Sequence, residues 1–346
     1  MQEFMKGIVI DSDGSVVFRT DLPIPEIGPR DVLVKVAAAA ICGTDRHIYS
    51  WTKWAQDRIP APMVFGHEFA GEIVKVGTEV TEFQVGARVA GETHIPCNDC
   101  HMCKSDRRHN CSNMKIIGVH TPGCFSDYIS IPVDCLFAIS DDLSYEDASM
   151  LEPMGVAVHG VSAGEVKDSV TVIYGAGPIG MMAVGAAKAN GAKKIICIDG
   201  FDDKLTVASQ MGADLVINAR NSDPVKTVFD YTDGIGADIV IDFTGNQHAL
   251  TAGFEMLRKN GRFVIVGLPS TDITLNFTDA IIYKEATVLG VTGRLMYQTW
   301  DECIDILHSD SFSLKPVVGG IYKLENYKDA FDAIEAGAPG KMLLIP

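Results

Sequence analysis

The stretch Gly175-Ala176-Gly177-Pro178-Ile179-Gly180 determines the fold predicted for the middle of the chain. An apolar run, Val170–Tyr174, precedes it and indicates a buried strand, and a helix-like segment follows it. A second apolar run, Ile195–Ile198, ends on Asp199. This order of strand, glycine turn, helix and strand with a terminal acid is typical of dinucleotide-binding folds. An ordinary glycine-rich turn is the weaker interpretation, because the flanking segments fit on both sides.

Each part of this motif has a physical role in binding a dinucleotide. Gly175 allows the tight turn, Gly177 lets the backbone approach a pyrophosphate, and Gly180 lets the helix pack against the strand. Backbone N–H groups and the helix dipole then face the phosphate charge. Asp199 can accept hydrogen bonds from a ribose diol and would repel a 2′-phosphate. The motif therefore predicts NAD rather than NADP as the cofactor.

Composition limits the classes of protein that the chain can belong to. Its 346 residues are enough for about two domains, and 47% hydrophobic residues supply a sizeable core. A formal net charge of -16 argues against nucleic acid or an anionic membrane as a partner, since both need a basic surface. The start, Met1–Lys6, lacks the apolar stretch of a signal peptide, and no apolar run approaches the roughly 20 residues that span a bilayer. We therefore expect a cytoplasmic protein whose nine cysteines are metal ligands or buried thiols rather than disulfides.

The pattern of strands and helices predicts an α/β protein with two domains. Short strands separated by glycine and proline turns indicate a β-rich, barrel-like domain over residues 1–155. Strands then alternate with helices, for example a helix over His248–Lys259 followed by a strand over Arg262–Val266, which indicates a doubly wound parallel sheet over residues 156–293. Residues 294–346 are expected to return to the first domain.

Cysteines at C-x2-C-x2-C-x7-C spacing form a compact lobe, at about residues 92–113, within the first domain. They are Cys97, Cys100, Cys103 and Cys111. Four thiolates in a short loop suit a closed tetrahedral zinc site, which would staple a loop too polar to fold alone. An iron–sulfur cluster also fits the ligand type, and a disulfide pair is less favoured in a reducing compartment.

A second set of zinc-ligand types lies in three separate stretches of the first domain. Cys42 and His47 lie in the first stretch, His67-Glu68 in the second, and Glu152 in the third. Taken singly, a lone histidine is more often packed or on the surface, and a lone cysteine is more often in the core. Spacing alone does not assemble these residues into one site.

These stretches nevertheless resemble a known family. Gly66-His67-Glu68-Phe69-Ala70-Gly71, followed by Gly77 and Val80, is similar to the signature of the zinc-containing medium-chain alcohol dehydrogenases. The cysteine lobe and the glycine motif match the same family in the same order. The resemblance implies a GroES-like catalytic domain joined to a Rossmann domain, a small-molecule alcohol substrate and a homotetramer. It also implies one catalytic and one structural zinc in each subunit.

The resemblance also implies roles for individual residues. Cys42 and His67 would bind the catalytic zinc, and Glu68 and Glu152 would complete or tune that ligand set. Thr44 and His47 would form a proton relay beside it. Contacts with NAD are implied for Ile179, Asp199, Lys204, Val266, Gly267, Leu268, Val291 and Thr292.

Several further stretches narrow the resemblance to the subgroup of L-threonine 3-dehydrogenases. They are residues 41–49 with 51 and 54–56, residues 92–95 and residues 293–300, although Val156 stands where that subgroup usually has asparagine. The resulting prediction is oxidation of a secondary alcohol by hydride transfer to NAD⁺, with L-threonine giving 2-amino-3-oxobutanoate. One alternative is a polyol dehydrogenase of the sorbitol or L-iditol type. A non-catalytic NAD-binding redox sensor is an alternative of another class, but it would need no zinc relay.

Overall fold

A computed structural model of the protein describes residues 3–309 and 312–346. The chain divides into two compact units. Unit 1 contains Met1–Pro153 and Val318–Pro346, and unit 2 contains Met154–Val317. Unit 1 is therefore built from two separate segments, whereas unit 2 is continuous in sequence.

The first segment is made of short elements. Its strands are β1 (Phe4–Ile10), β2 (Val16–Pro23), β3 (Asp31–Ala40), β4 (Met63–Val64), β5 (Glu68–Val76), β6 (Arg88–Gly91), β7 (His94–Ile95), β8 (Lys115–Ile116), β9 (Tyr128–Pro132) and β10 (Leu136–Ala138). Its helices are α1 (Gly43–Tyr49), α2 (Lys53–Gln56), α3 (His101–Lys104), α4 (Tyr145–Ser149) and the start of α5 (Leu151–Gly164).

Strands and helices alternate from α5 onward. Unit 2 continues with β11 (Val170–Tyr174), α6 (Pro178–Ala189), β12 (Lys194–Asp199), α7 (Asp202–Gln210), β13 (Leu215–Asn218), α8 (Pro224–Tyr231), β14 (Ala237–Asp242), α9 (Gln247–Met256), β15 (Leu257–Ile265), a π-helical turn (Thr278–Ile282), β16 (Thr287–Gly290) and α10 (Gln298–Leu307). The last segment has β17 (Val318–Lys323), α11 (Tyr327–Glu335) and β18 (Lys341–Ile345). Within the described residues, no helix combines the length and apolar character needed to cross a bilayer.

The main sheet of unit 1 brings the two ends of the chain together. Its strand order is β10-β6-β5-β3-β18-β17, and β9 also pairs with β3. The last strand lies antiparallel to β3, with Leu343 opposite Ala40. Apolar side chains fill the core, where the rings of Phe65 and Phe125 meet edge to face at 5.2 Å. Strand β18 therefore completes a sheet that begins about three hundred residues earlier.

Unit 2 contains a parallel sheet with strand order β13-β12-β11-β14-β15-β16. Parallel neighbours need long crossovers, which the intervening helices provide, and the order of the strands is that of a dinucleotide-binding sheet. The glycine turn is as tight as the sequence indicates: Gly175 has φ +101°, and a Cβ atom at Gly180 would lie 1.8 Å from the carbonyl oxygen of Gly175. The predicted α/β fold class is confirmed.

The structure differs from the predicted helix over His248–Lys259. Helix α9 ends at Met256, because Leu257 is extended (φ −68°, ψ 130°) and pairs with Ala237 in the sheet. The register is irregular after that pair, so that Arg262 faces Ile239. The last three residues of the predicted helix, 257–259, therefore lie in the irregular first part of β15.

Residues 294–317, which were predicted to belong to the returning segment, lie in unit 2. Helix α10 buries Trp300 and Cys303 there. The buried Arg294 side chain lies against Gly155, where an added Cβ would be 2.9 Å from its Cδ. Packing within unit 2 thus holds this stretch, and the chain returns to unit 1 at Val318.

Candidate metal and cofactor sites

The cysteine lobe brings its four sulfur atoms together. The Sγ atoms of Cys97, Cys100, Cys103 and Cys111 all lie within 4.8 Å of one another. Backbone N–H groups donate to these sulfurs, including those of Cys97 and Asn113 to Cys111 at 3.2 and 3.3 Å. Tetrahedral zinc–thiolate sites have this ligand type and compactness. The donor set therefore fits a closed structural zinc site.

Opposing effects act on the thiols of the lobe. Hydrogen bonds from the backbone of Cys103 and Ser112 lower the pKa of Cys100 to about 5. Burial and the neighbouring thiols of Cys100 and Cys111 raise the pKa of Cys103 to about 12. The full set cannot all become thiolate without a cation, because the negative charges would repel one another. A divalent metal ion would remove this conflict.

A second candidate metal centre joins two distant stretches of unit 1. Ligand atoms of Cys42, His67 and Glu68 lie within 4.8 Å of one another. Cys42 is the N-cap residue of α1, and Glu68 is the first residue of β5. Gly66 makes the turn before His67 and Glu68 with φ +91°, and a Cβ at Gly66 would lie 2.4 Å from the Phe125 ring. Only glycine fits this turn, which brings His67 to Cys42.

Asp45, which was not among the residues predicted from the sequence, connects these two stretches. Its fully buried carboxylate accepts a hydrogen bond from the backbone N–H of Cys42 at 2.8 Å, and its Oδ1 lies 3.4 Å from His67 Nδ1. Burial opposes a charged His67 imidazole, but the charges of Asp45 and Cys42 outweigh burial and raise the pKa of His67 well above its usual value. The surroundings therefore favour positive charge here, from a proton or from a metal ion.

A second missed residue, Lys341, contacts the same centre from the last strand. Its buried Nζ donates to the Ile41 carbonyl oxygen at 2.9 Å and lies 2.7 and 2.6 Å from the two carboxylate oxygens of Glu68. Burial raises the pKa of Glu68 to about 7; Lys341 opposes that rise, and the charge of Glu152 adds to it. Burial alone would lower the pKa of Lys341, but the charges of Glu68 and Cys42 raise it. Lys341 thus supplies the positive charge that balances Glu68.

The other residues predicted for this centre are Glu152, Thr44 and His47. The Glu152 carboxylate is buried and acts electrostatically on Glu68. Thr44 and His47 lie three positions apart on α1, on one side of the helix, whereas Asp45 is buried on the other. His47 is exposed, with its ring 6.1 Å from that of Trp54. One short helix therefore carries the buried Asp45, the half-buried Thr44 and the exposed His47.

In unit 2, the predicted cofactor residues begin at the glycine turn. Gly177 is the N-cap residue of α6, and no atom lies within 4 Å of a Cβ built there. Asp199 ends β12 and connects with this turn: one carboxylate oxygen accepts the Ala176 N–H at 2.7 Å and the other accepts the Phe201 N–H at 3.1 Å. The acid and the glycine turn are therefore a single hydrogen-bonded structure.

The other predicted cofactor residues lie near the carboxyl ends of the same strands. Asp242 joins two of these ends, because its buried carboxylate accepts the N–H groups of Thr244 and Gly245 and its carbonyl oxygen accepts those of Val266 and Gly267. Parallel sheets bind ligands at this edge. Ile179 lies in the first turn of α6 and Lys204 in α7, and the residues that follow β15 and β16 are Val266, Gly267, Leu268, Val291 and Thr292.

This combination of fold and metal-ligand clusters matches described families. Residues 28–141 match the alcohol dehydrogenase GroES-like domain, and residues 178–309 match the zinc-binding dehydrogenase domain. The chain belongs to the zinc-binding dehydrogenases. The family resemblance predicted from the sequence is confirmed, and so is the class of enzyme, a zinc-dependent alcohol oxidoreductase.

Curated relatives specify this class further. The chain is 42% identical to the L-threonine 3-dehydrogenase of Bacillus subtilis and covers 100% of both sequences. It is 38% identical to the L-threonine 3-dehydrogenase of Thermococcus kodakarensis, covering 100% of this chain and 99% of the relative.

Solved structures of the same fold include enzymes with different names. One is a zinc-binding dehydrogenase of Sinorhizobium meliloti bound to NADP, with 28% identity, TM-score 0.92 and 100% of both chains covered. Another is an alcohol dehydrogenase of Escherichia coli with NADH, at 28% identity and TM-score 0.90, again over 100% of both chains. A third is galactitol-1-phosphate dehydrogenase of Escherichia coli, at 29% identity and TM-score 0.89, covering 99% and 100% of the two chains.

The buried carboxylate of Asp45 should be needed for tight zinc binding at Cys42 and His67. Asp45→Asn removes the negative charge that faces the imidazole 3.4 Å away, so we expect zinc affinity at this centre to fall about 10- to 100-fold. Competition with a zinc chelator, followed by measurement of the zinc that remains bound, tests this. Asp57→Asn, at an exposed position after α2, is the matched control. Equal zinc release from both variants would contradict the role of Asp45.

Removal of Lys341 should destabilise unit 1. Lys341→Met leaves the Glu68 carboxylate buried without its counter-ion, so the free energy of unfolding should fall by about 3–5 kcal/mol. Denaturant unfolding with excess zinc measures the change, and Lys323→Met on the exposed face of β17 is the control. The double variant Glu68→Gln/Lys341→Met should recover part of the loss. Lys341→Met with the stability of the control would contradict the ion-pair interpretation.

Proposed function

We propose that the protein oxidises L-threonine to 2-amino-3-oxobutanoate by hydride transfer to NAD⁺. The observation that carries the proposal is the convergence of Cys42, His67 and Glu68 within 4.8 Å in a zinc-binding dehydrogenase. Full-length similarity to L-threonine 3-dehydrogenases, at 38–42% identity for those of Thermococcus kodakarensis and Bacillus subtilis, supports threonine as the substrate.

Two zinc ions per subunit are part of this proposal. Cys97, Cys100, Cys103 and Cys111 would hold a structural ion, and Cys42 and His67, with Glu68 and Glu152 nearby, would hold a catalytic one. The catalytic zinc would supply Lewis-acid polarisation of an alcohol oxygen. Lys341 would compete with the metal for Glu68, since it already binds both carboxylate oxygens.

The residues of α1 would handle the proton that the alcohol loses. Thr44 Oγ1 can accept a hydrogen bond from the substrate hydroxyl and donate its own proton onward. His47 is exposed and lies on the same side of the helix, so its imidazole can pass a proton to water. Asp45 holds the start of this helix and thereby the positions of both residues.

NAD is the proposed hydride acceptor. Gly175, Gly177 and Gly180 would receive the pyrophosphate, and Asp199 would bind the adenosine ribose. Ile179 and Lys204 would contact the adenosine half, and the residues after β15 and β16 would flank the nicotinamide. One structurally similar protein was solved with NADP and another with NADH. The choice between the two cofactors therefore depends on this chain's own residues.

We further propose a cytoplasmic homotetramer. The edge strand β16 of the parallel sheet leaves Val288 partly exposed, and Phe277, Ile282 and Tyr283 nearby in sequence are exposed large apolar residues. Exposed apolar patches of this kind mark protein contacts, so this edge is a candidate for association between subunits. The free cysteine thiols suit a reducing compartment.

A polyol or polyol-phosphate substrate is the second candidate. The structural similarity to galactitol-1-phosphate dehydrogenase, at TM-score 0.89 over nearly the whole of both chains, favours it. Val156, where threonine enzymes usually have asparagine, also differs from the threonine subgroup. Both candidates share the zinc and nucleotide residues and differ in the group that the alcohol carries.

A substrate panel tests the proposal directly. L-threonine, other 2-amino alcohols, sorbitol and galactitol 1-phosphate are compared with NAD⁺ and excess zinc, by following NADH absorbance. We expect the highest kcat/KM for L-threonine. Cys42→Ser should abolish turnover and leave NADH binding intact, because the thiolate ligand is lost and unit 2 is unchanged. A higher kcat/KM for a polyol would overturn threonine as the substrate, and near-normal turnover of Cys42→Ser would overturn the metal centre.

His47→Ala should slow turnover and change its dependence on pH. Loss of a positioned acid–base group typically costs about 10²- to 10⁴-fold in rate, and we expect a decrease in this range for kcat. Rates measured from pH 5 to 10, together with the Kd of NADH, separate proton transfer from cofactor binding. Arg46→Ala, the preceding exposed residue on the same helix, is the control. A pH–rate profile identical to that of the native enzyme would exclude His47 from the relay.

A further inference from the structure

An aromatic cluster in the core of unit 1 joins four separate stretches of the chain. Its members are Tyr49, Phe65, Phe125, Tyr327 and Phe331. Phe65, Phe125 and Phe331 are fully buried, or nearly so, as is Tyr327 at 2% exposure. Aromatic rings pack in a few preferred geometries, so a buried cluster of this kind constrains the relative positions of the elements that carry it.

Phe331 is the central ring of this cluster, because it contacts both stretches that carry the predicted zinc ligands. Its ring centroid lies 4.1 Å from that of Tyr49, and the two rings are nearly parallel, at 7°. The ring of Phe65 lies 6.3 Å from that of Phe331 and is inclined to it by 44°. Tyr49 is the last residue of the helix that Cys42 caps, and Phe65 precedes His67 by two positions. One side chain of α11 thus connects the helix of Cys42 with the turn of His67.

Helix α1 depends on such contacts for its direction. Its seven residues are too few to form a stable helix in isolation, so contacts with the rest of unit 1 must hold it. Asp45 holds its first turn, and the stack of Tyr49 on Phe331 holds its last residue. The ion pair of Arg46 with Glu335 also joins α1 to α11, but the two side chains are 46% and 52% exposed, and exposed pairs contribute little. We therefore attribute the position of the last turn to the stack.

The turn that carries His67 packs on the same cluster. Phe65 meets Phe125 edge to face, and the Phe125 backbone N–H donates to the Phe65 carbonyl oxygen at 3.0 Å. Between Phe65 and His67, the chain passes Gly66, where any side chain would collide with the Phe125 ring. The position of His67 thus depends on tight packing to which Phe331 contributes through Phe65.

We propose that Phe331 is a positioning residue for the candidate metal centre and for helix α1, and that it acts through Tyr49 and Phe65. The inference rests on the proposed function, because it takes Cys42 and His67 as zinc ligands. When a ring is lost from a packed core, its neighbours close the gap only in part, so α1 and the turn would shift relative to each other. A misplacement of about 1 Å in an active site can cost about 100-fold in rate.

Zinc affinity, measured by competition with a chelator, tests the proposal without turnover. Phe331→Leu keeps the position apolar but removes the ring, so the affinity for zinc at Cys42 and His67 should fall by about tenfold. The matched control is Phe83→Leu, in the loop between β5 and β6, where a partly buried ring packs against the same core. Phe83→Leu should leave the zinc affinity unchanged.

Two substitutions of Tyr49 separate the stack from a general loss of packing. Tyr49→Phe keeps the ring and should retain the native zinc affinity and kcat. Tyr49→Leu should lower the zinc affinity as Phe331→Leu does, and both should lower kcat with L-threonine by about 10- to 100-fold. The Kd of NADH, whose proposed site is in unit 2, should change by less than about twofold. In Tyr49→Leu/Phe331→Leu the two losses should not add, because both substitutions remove the same stack.

The outcomes separate this inference from the proposed function. If Phe331→Leu matches Phe83→Leu in zinc affinity and kcat, or if the losses in the double variant add fully, the positioning role is wrong and the proposed function stands. If the native protein binds no zinc at Cys42 and His67, the proposed function fails and the positioning role fails with it. If zinc binds but L-threonine is not oxidised, the substrate is wrong, and zinc release alone decides the role of Phe331. Should Phe331→Leu fail to fold, Tyr49→Leu, at a half-buried position, provides the same measurements.

Discussion

The buried carboxylate of Asp45 is the interaction on which the candidate metal centre of unit 1 depends. It accepts the Cys42 N–H at the start of α1 and faces the His67 imidazole 3.4 Å away. Cys42 and His67 are 25 positions apart in sequence, one at the start of a helix and the other just before a strand. One fully buried acid therefore bonds to the backbone of Cys42 and lies beside the imidazole of His67. A metal site built in this way is organised before any ion enters it.

Charge balance explains why the same centre needs a lysine from the last strand. Asp45, Glu68 and Glu152 are all buried in the same part of unit 1 as Cys42, and buried acids need positive partners. Lys341 balances one of them by binding Glu68, and the other ligand types of the centre suit a divalent ion. The raised pKa of His67 and the raised pKa of Lys341 are two expressions of this one excess of negative charge.

The features that could be predicted from the sequence are those whose geometry depends on residues close together in the chain. The strand Val170–Tyr174, the glycine turn and Asp199 carry their geometry in local spacing, and so do the cysteines of the lobe. Asp45 and Lys341 could not be identified in this way, because their roles come from contacts made across the sheet of unit 1. Asp45 offers a weak local signal, since an acid at the third helical position after Cys42 suits an N-terminal capping interaction. Lys341 has no such local signal. A lysine at the start of a strand would be predicted to lie on the surface unless its buried partner were known.

Unit 1 cannot be completed until the second of its two segments has been synthesised. Residues 154–317 are contiguous and can fold as soon as they leave the ribosome, whereas the sheet around β3 lacks β17 and β18 until residues 318–345 have been synthesised. Until then the nascent chain holds Glu68 without Lys341, its buried counter-ion. The candidate metal centre is thus completed only after residues 154–317 have been made, and a translation product that ended at residue 317 would carry all of unit 2 but lack part of unit 1.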